Sequence, residues 1–406
     1  MSQAKLFEAI SPCVPTAAKV FLNLLRRLKF GHLQLITPEG NHYTFGDVHQ
    51  PPSATLKIKN WRACARIIRS GDIGFAECIE AGWIETPDLT ALLRLVIHNE
   101  QALQRVVNGG WISTLWYRVR HLLRPNTRQG SRRNIHAHYD IGNDFYGLWL
   151  DSSMTYSSAL FEGDKSLPLE TAQTRKYQRI IDTLGLQAGD HVLEIGCGWG
   201  GFAIHAGKLG IQVTGVTIST SQLEIALQRV RELNLESLVE LRLRDYRDCR
   251  DFAVEYDAIV SIEMFEAVGE RYWAEYFNII RACLKPGGRA MVQSITIAER
   301  DFERYRSSTD FIQQYIFPGG MLPSPERFSR QANKAGLQVE QQYAFGRDYA
   351  ETLRRWRLTW ENNHDSILDQ GFDQRFMRIW RLYFAYCEAG FEEGKTDVLQ
   401  FLLHKV

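Results

Sequence analysis

The 406-residue sequence lacks several features that would assign it to common protein classes. It contains no run of about 18 apolar residues, which is the length an apolar helix needs to cross a bilayer. Its formal net charge is only +1, so the chain as a whole presents no field that would attract nucleic acid. The N-terminal region has no apolar segment followed by a small-residue cleavage site, and we therefore expect no signal peptide.

Cysteine and histidine are spaced unfavourably for disulfides and metal sites. The seven cysteines are scattered and include no CxxC pair, which argues against a disulfide framework and a structural zinc site. The eleven histidines include no HxxxH pair. We therefore predict a chain that holds no metal and works in a reducing, cytoplasmic compartment.

Length and composition indicate two globular domains. Hydrophobic residues make up 45% and charged residues 23% of the chain, and 406 residues exceed the size of an ordinary single domain. Residues 16–30 place apolar and basic side chains at helical spacing, which predicts an amphipathic helix. Residues 33–36 and 43–45 predict a β-hairpin, and residues 88–97 predict a helix. Together these elements indicate a small α+β domain over residues 1–108.

A basic segment, residues 109–134, follows this domain and carries no acid. Its six arginines are Arg118, Arg120, Arg124, Arg128, Arg132 and Arg133. Trp111, Trp116 and Tyr117 lie in the same segment. Basic and aromatic side chains at helical spacing suit an anionic membrane surface. The alternative is a solvated linker helix that packs its aromatic side chains on a neighbouring element.

From about residue 187 the sequence alternates between strand-like and helix-like patterns. Strand-like segments occur at 191–195, 213–219, 239–242, 258–261 and 290–297, with helical stretches between them. This alternation predicts a parallel, doubly wound α/β sheet.

The segment VLEIGCGWGG, residues 192–201, predicts a ligand-binding turn. A buried strand runs into a glycine-rich turn and then a helix, so backbone amides and the helix N-terminus can approach a ligand. Such a turn also occurs with NAD. S-adenosylmethionine is favoured because Glu194 ends the strand, where it can meet the methionine amino group, and because the next strand ends in VTGVTIS rather than in an acid. Asp245 and Tyr246 follow the third strand, where they can hold the adenine.

Several further motifs occur in a fixed order. They are HYDIGNDFYGLWLDSSMTYSSALF, LEIGCGWGGFA, VTGVTIS, RDYRD, MFEAVG, YIFPGGMLPS and FGRDYAETLRRW. From about residue 135 to the C-terminus the chain resembles the cyclopropane-fatty-acyl-phospholipid synthase family, which is similar to the mycolic acid methyltransferases. The N-terminal part resembles the extra domain of bacterial full-length synthases. The resemblance implies that residues 135–406 form a Rossmann-like class I methyltransferase sheet of seven strands, with a helical cover over a lipid tunnel.

The resemblance also implies which residues hold S-adenosylmethionine. Together with Glu194, the predicted donor site consists of Tyr156, Ser157, Gly196, Gly198, Gly200, Thr217, Ile218, Gln222, Asp245, Tyr246 and Arg247.

An anion pocket next to the reacting carbon is a further implication. Glu266 and Tyr349 match positions that hold a bicarbonate ion in the family, and Ile295 belongs to the same pocket. The chain departs from the family at two positions of this pocket, with Ser158 in place of cysteine and Gln293 in place of histidine. Serine and glutamine still donate hydrogen bonds to an anion, but glutamine is not a base at pH 7.

Cys387 completes the predicted catalytic set, because it matches a cysteine of the bacterial synthases to which a nucleophilic role has been attached. Methyl transfer to an alkene needs no covalent enzyme intermediate, so a structural thiol is the alternative.

The implied activity is C-methylation of the double bond of an unsaturated acyl chain in a phospholipid. Methyl transfer leaves a carbocation on the chain, which aromatic faces and carboxylates stabilise. The aromatic residues predicted for this role are Phe145, Tyr146, Trp149, Tyr315, Phe317 and Tyr349. Loss of a proton from the new methyl group gives a cyclopropane, whereas loss from the chain gives a methyl-branched or methylated unsaturated product.

Two other functions stay open at this point. A small-molecule N- or O-methyltransferase would have a polar acceptor pocket, and a lipid-binding protein without catalysis would not bind S-adenosylmethionine. For the favoured function the partners are unsaturated phospholipid acyl chains and the anionic inner face of the cell membrane, with no nucleic acid. Resemblance also implies a homodimer through the N-terminal domain.

Overall fold

The computed structural model describes residues 14–103, 141–251 and 254–406. Its contacts divide the chain into two compact units. Unit 1 comprises Met1–Val119, Ser308–Phe311 and Phe372–Ala389, and unit 2 comprises Arg120–Ser307, Ile312–Gly371 and Gly390–Val406. The predicted domain boundaries at 108 and 134, with the arginines between them, lie outside the described residues and stay predictions.

Unit 1 contains a four-stranded sheet in the order β2-β1-β3-β4. Its described elements are α1 (Thr16–Leu25), β1 (His32–Ile36), β2 (His42–Gly46), β3 (Ser53–Ile58), α2 (Arg62–Glu80), β4 (Ile84–Glu85) and α3 (Leu89–His98). The predicted hairpin is confirmed, because β1 and β2 pair antiparallel with Leu35 opposite Tyr43. Helix α3 begins where the Asp88 carboxylate accepts a hydrogen bond from the backbone N–H of Ala91 at 2.9 Å.

Unit 2 is built on a seven-stranded sheet in the order β10-β11-β9-β8-β5-β6-β7. The strands are β5 (His191–Ile195), β6 (Gln212–Thr217), β7 (Val239–Leu243), β8 (Tyr256–Ile262), β9 (Leu284–Ile297), β10 (Leu337–Ala344) and β11 (Thr396–Lys405). The α-helices described from residue 141 onward are α4 (Asn143–Gly147), α5 (Leu169–Leu184), α6 (Gly201–Lys208), α7 (Thr220–Glu232), α8 (Trp273–Cys283), α9 (Glu299–Ser307), α10 (Pro325–Lys334), α11 (Gly346–Asn362), α12 (His364–Asp369) and α13 (Gln374–Glu392), the last of which lies mostly in unit 1.

Strand direction in this sheet departs from the all-parallel prediction at one strand. Strands β5 to β9 pair in parallel, whereas β11 runs antiparallel to both β9 and β10. Six consecutive residues of β11 are buried. Five of these six residues are apolar, and such a run indicates a strand covered on both faces but does not encode its direction.

Both faces of the sheet carry helices, which confirms the doubly wound α/β architecture. One layer packs α8 and α10 against the sheet, with the ring of Phe328 stacked on that of Phe401 at 3.9 Å. The other layer packs α5, α6 and α7, and includes Tyr177 and Phe202. The carboxyl ends of the parallel strands meet at one edge, where ligands of open α/β sheets bind. Among the described residues, no helix is both long and apolar enough to cross a bilayer.

Candidate active site

The turn between β5 and α6 has the geometry that its glycines predict. Gly196, Gly198 and Gly200 adopt φ values of 86°, 51° and 81°, in the left-handed region that favours glycine. A Cβ on Gly196 would come within 2.8 Å of the Met264 side chain, whereas a Cβ on Gly198 would meet nothing within 4 Å. The turn therefore places its backbone next to open space at the strand ends.

Glu194 lies at the end of β5, where the sequence placed it. Its side chain is buried, and its Oε2 atom has no hydrogen-bond partner among the described residues. Burial raises the pKa of this carboxyl to about 8, although Lys176 and the backbone N–H of Ala203 oppose the shift. A buried carboxylate oxygen without a partner fits a cationic ligand such as the methionine ammonium group.

The acid that follows the third strand is already paired. Both oxygens of Asp245 accept hydrogen bonds from the Arg247 guanidinium, at 2.8 and 2.7 Å, and both side chains are buried. The Oδ1 atom also accepts a hydrogen bond from the backbone N–H of Arg247 at 3.0 Å. The role of Asp245 in holding the adenine amino group stays a prediction. Tyr246, beside this pair, is partly buried and packs edge-on against Tyr276.

The remaining predicted donor residues lie at the start of α7 and before α5. The Ser219 hydroxyl caps α7 by accepting a hydrogen bond from the N–H of Gln222, and the buried Thr217 hydroxyl lies 3.5 Å from the Gln222 Oε1 atom. Ile218 is partly buried. Tyr156 joins an aromatic group described below. The order of these residues around the turn supports a donor site at this edge of the sheet.

A buried lysine contacts one of the residues predicted to bind S-adenosylmethionine. Lys176 on α5 is fully buried and donates hydrogen bonds to the Ser157 hydroxyl at 2.6 Å and to Gln173 at 2.8 Å. Burial lowers its pKa to about 7, and the carboxylates of Glu263 and Glu194 oppose this shift. The sequence did not point to Lys176, because its helix carries several other charged residues that face solvent.

The predicted anion pocket is filled by a side chain of the protein. The carboxylate of Glu263 accepts hydrogen bonds from the Ser158 backbone N–H at 2.9 Å, the Gln293 side-chain amide at 2.7 Å and the Tyr349 hydroxyl at 2.6 Å. Burial raises the pKa of Glu263, whereas these donors and Lys176 act in the opposite direction. Glu263 comes directly after β8 but was missed, because the family resemblance assigned the pocket's acid to Glu266.

Glu266 lies beside this pocket and is held at one oxygen only. Its Oε1 atom accepts hydrogen bonds from the Ser294 hydroxyl at 3.1 Å and from the backbone N–H of Ile295, whereas Oε2 has no partner among the described residues. Burial and the neighbouring Glu263 raise the pKa of Glu266 to about 8. Three hydrogen-bond donors and Lys176 favour the ionised form of Glu263, whereas Glu266 has donors at one oxygen only, so the negative charge of the pair is favoured on Glu263.

Hydrogen bonds within the protein hold Gln293 and Ser158 in a fixed orientation next to Glu263. The Gln293 carbonyl oxygen accepts a hydrogen bond from Gln400 at 3.0 Å, and Gln400 in turn accepts one from Arg179. Because the hydrogen bond from Gln400 occupies the Gln293 carbonyl oxygen, the NH2 group of Gln293 is the part of the amide that points at the Glu263 carboxylate. The hydroxyl of Ser158 donates to the carbonyl of Ala159, so the residue contributes its backbone N–H to the pocket.

An aromatic wall, defined here as Tyr146, Trp149, Tyr156, Trp356 and Tyr349, leads to the acid pair. Neighbouring ring centroids along it are 5.4 to 6.1 Å apart. Trp356 contacts three of the other rings and lies seven residues after Tyr349 on the helix α11. It ends the motif FGRDYAETLRRW but was not among the aromatic residues predicted for the site. Tyr349 continues the wall to the Glu263 carboxylate through its hydroxyl.

The other predicted aromatic residues lie at different depths. Phe145 is fully buried against Tyr146, Phe317 lies 6.5 Å from Tyr156, and Tyr315 is 36% exposed.

Cys387 belongs to unit 1, whereas the acid pair belongs to unit 2. Burial and the nearby Asp310 carboxylate raise the pKa of its thiol well above the ordinary range. A thiol with a raised pKa keeps its proton and is a weak nucleophile. This environment favours the structural alternative for Cys387. Among the described residues, no three acids, cysteines or histidines form a group that could hold a metal ion.

Sheet order, glycine turn and strand-end acids together define a class I methyltransferase that uses S-adenosylmethionine. A family model described as mycolic acid cyclopropane synthetase matches residues 126–401, and the chain belongs to this family.

Named relatives and solved structures agree with this membership. The chain is 37% identical over 402 residues, covering 97% of it and 92% of the relative, to the tuberculostearic acid methyltransferase UfaA1 of Mycobacterium tuberculosis. It is 32% identical over 353 residues, covering 87% and 88%, to the cyclopropane-fatty-acyl-phospholipid synthase of Escherichia coli. The crystal structure of the mycolic acid cyclopropane synthase CmaA1 with SAH and CTAB matches 68% of this chain and 98% of its own, with a TM-score of 0.62 and 31% identity.

Proposed function

We propose that this methyltransferase transfers a methyl group to a double-bond carbon of an unsaturated acyl chain in a membrane phospholipid, giving a cyclopropane. One observation carries the proposal: the aromatic wall ends at Tyr349, whose hydroxyl lies 2.6 Å from the Glu263 carboxylate. Apolar rings suit an acyl chain, and a carboxylate at their end suits the cation that methylation creates. A polar acceptor would instead need hydrogen-bonding groups along this surface.

Residues of this site align and stabilise the reactants. The alkene electron pair forms the bond to the methyl carbon, while the carbon–sulfur bond breaks and its electron pair stays on sulfur. The rings of Trp356 and Tyr349 lie 6.1 Å apart in an edge-to-face arrangement, and aromatic rings at this position would stabilise the chain cation. Loss of one proton then completes the reaction. Because the alkene is a poor nucleophile, alignment in a dry site supplies much of the rate.

A methylated alkene is the second candidate product. It differs from the cyclopropane only in which proton leaves the cation. Two observations favour it: Gln293 replaces the family histidine, and the relative that covers 97% of this chain is named a methyltransferase rather than a cyclopropane synthase. For either product, Glu266, Ser158 and Ile295 stay proposed members of the reaction site.

A phospholipid acceptor at the membrane surface is supported by two comparisons and by the sequence. The Escherichia coli relative is named a cyclopropane-fatty-acyl-phospholipid synthase, and CmaA1 was solved with the alkyl detergent CTAB. The arginines of residues 118–133 suit anionic headgroups. We therefore place the reaction at the inner face of the cell membrane, with the protein bound peripherally. Dimerisation through the N-terminal domain stays a prediction.

Transfer of a labelled methyl group distinguishes the acceptor classes. Purified protein is incubated with methyl-labelled S-adenosylmethionine and vesicles of unsaturated anionic phospholipid, with vesicles of the saturated lipid as the matched control. We expect label in the lipid fraction when the vesicles are unsaturated and none when they are saturated. Label transferred to small amines or phenols but not to vesicles would instead support an N- or O-methyltransferase.

A further inference from the structure

Bicarbonate, the group that the resemblance implies for the anion pocket, does not fit the residues present. Its expected donors are Ser158, Gln293 and Tyr349, and all three already donate to the Glu263 carboxylate at 2.6 to 2.9 Å. A bicarbonate ion on the same donors would have to displace this carboxylate and bring a second negative charge beside it. Like charges in a buried pocket disfavour each other.

We propose that Glu263 is a catalytic residue that takes the place of bicarbonate and accepts the proton lost by the methylated acyl chain. The inference rests on the proposed function. In this step a C–H bond of the cation breaks, and its electron pair forms either the ring C–C bond or a new C=C bond. The proton moves to a Glu263 oxygen and returns to solvent after the product leaves.

The backbone of Glu263 supports this role. Glu263 adopts φ 49°, in the left-handed region, and is one of four non-glycine residues that do so among the described residues. A side chain with a Cβ is strained there, and glycine would be favoured. Such strain concentrates at functional sites, because stability alone would select against it. The strain places the carboxylate within reach of three donors from three separate elements or loops.

The electrostatics of the pocket also suit a base. Lys176 and the three donors stabilise the ionised form of Glu263, whereas burial keeps its pKa above the ordinary value. A carboxylate with a raised pKa accepts a proton more readily than an exposed one, and the three donors around Glu263 hold its ionised form before the reaction. Glu266 has donors at one oxygen only, so its ionised form is less favoured and it does not compete for the role.

Three variants test the assignment. Glu263→Gln keeps the shape but cannot accept the proton, and we expect kcat to fall by about 100-fold or more with unchanged affinity for S-adenosylmethionine. Glu263→Gly relieves the backbone strain and frees the three donors, so it should fold well and regain activity when sodium bicarbonate or formate is added. Glu240→Gln, an exposed glutamate on β7 that pairs with Arg242, is the matched control and should behave as wild type.

Two further experiments vary bicarbonate: one removes it from the assay of the wild type, and the other measures its binding directly. Wild-type activity should not change in buffer depleted of carbon dioxide, and 13C-labelled bicarbonate should show NMR line broadening with Glu263→Gly but not with wild type. Full activity of Glu263→Gln, or loss of wild-type activity on depletion, would overturn the assignment. If wild type methylates no vesicle lipid, the proposed function fails, whereas the bicarbonate titration still decides whether Glu263 fills the pocket.

Discussion

Replacing Glu194 with glutamine is expected to weaken binding of S-adenosylmethionine by about 10- to 100-fold, because a hydrogen bond to a charged group contributes about 1.5–3 kcal/mol. The carboxylate of Glu194 is buried at the end of β5 with Oε2 unpartnered. A bound ammonium group would lower the raised pKa of Glu194 and so favour its charged form. Glutamine keeps the volume of the side chain but cannot carry that charge. Calorimetric titration with S-adenosylmethionine measures the change.

The control for this variant is Glu240→Gln, which removes a glutamate at the surface of the same sheet. Its affinity for the donor should equal that of wild type. Unchanged affinity in Glu194→Gln would mean that this carboxylate does not contact the donor, and the placement of the methionine end at β5 would then be wrong.

Replacing Tyr349 with phenylalanine is expected to lower kcat by about 10- to 100-fold, because it removes a hydrogen bond to an ionised carboxylate worth about 1.5–3 kcal/mol. The Tyr349 hydroxyl donates to Glu263 at 2.6 Å and stabilises its charged form. Removing it raises the pKa of Glu263 further. Since Glu263 must be ionised to accept a proton, activity is lost as pH falls through this pKa. The acidic limb of the pH profile should therefore move to higher pH.

A structural role for Tyr349 predicts a different result. Loss of packing would lower activity equally at all pH values, without a displaced limb, and the account of Glu263 as the base would lose its support. The matched control is Tyr43→Phe on β2, which also removes a tyrosine hydroxyl but lies in unit 1. It should leave both the rate and the pH profile unchanged.

Much of the fold could be predicted from the pattern of apolar residues. Strand β5 has the bounds predicted, and β6, β7 and β8 differ by a few residues at their ends. Buried parallel strands read as continuous apolar runs bounded by turns, so their positions are visible in the sequence. The antiparallel direction of β11 could not be predicted from the sequence. Strand direction is set by the path of the chain through α11, α12 and α13 and leaves no periodic pattern.

The predicted site was incomplete for a similar reason. Ser158, Gln293 and Tyr349 were placed in one pocket, and the structure brings them together around Glu263. The sequence shows an acid directly after β8, but only the backbone conformation and the three hydrogen bonds distinguish it from Glu266. The role of Lys176 was harder still to predict from the sequence, because the burial of one lysine on an amphipathic helix depends on tertiary packing.

The fate of the methyl hydrogens tests the central claim most directly. S-adenosylmethionine with a trideuterated methyl group is incubated with the protein and unsaturated phospholipid vesicles, and the fatty acids are examined by mass spectrometry. A cyclopropane retains two of the three deuterium atoms and has no double bond, which is the result we predict. Retention of all three with a double bond would identify the methylated alkene. Acyl chains without any deuterium would contradict the account.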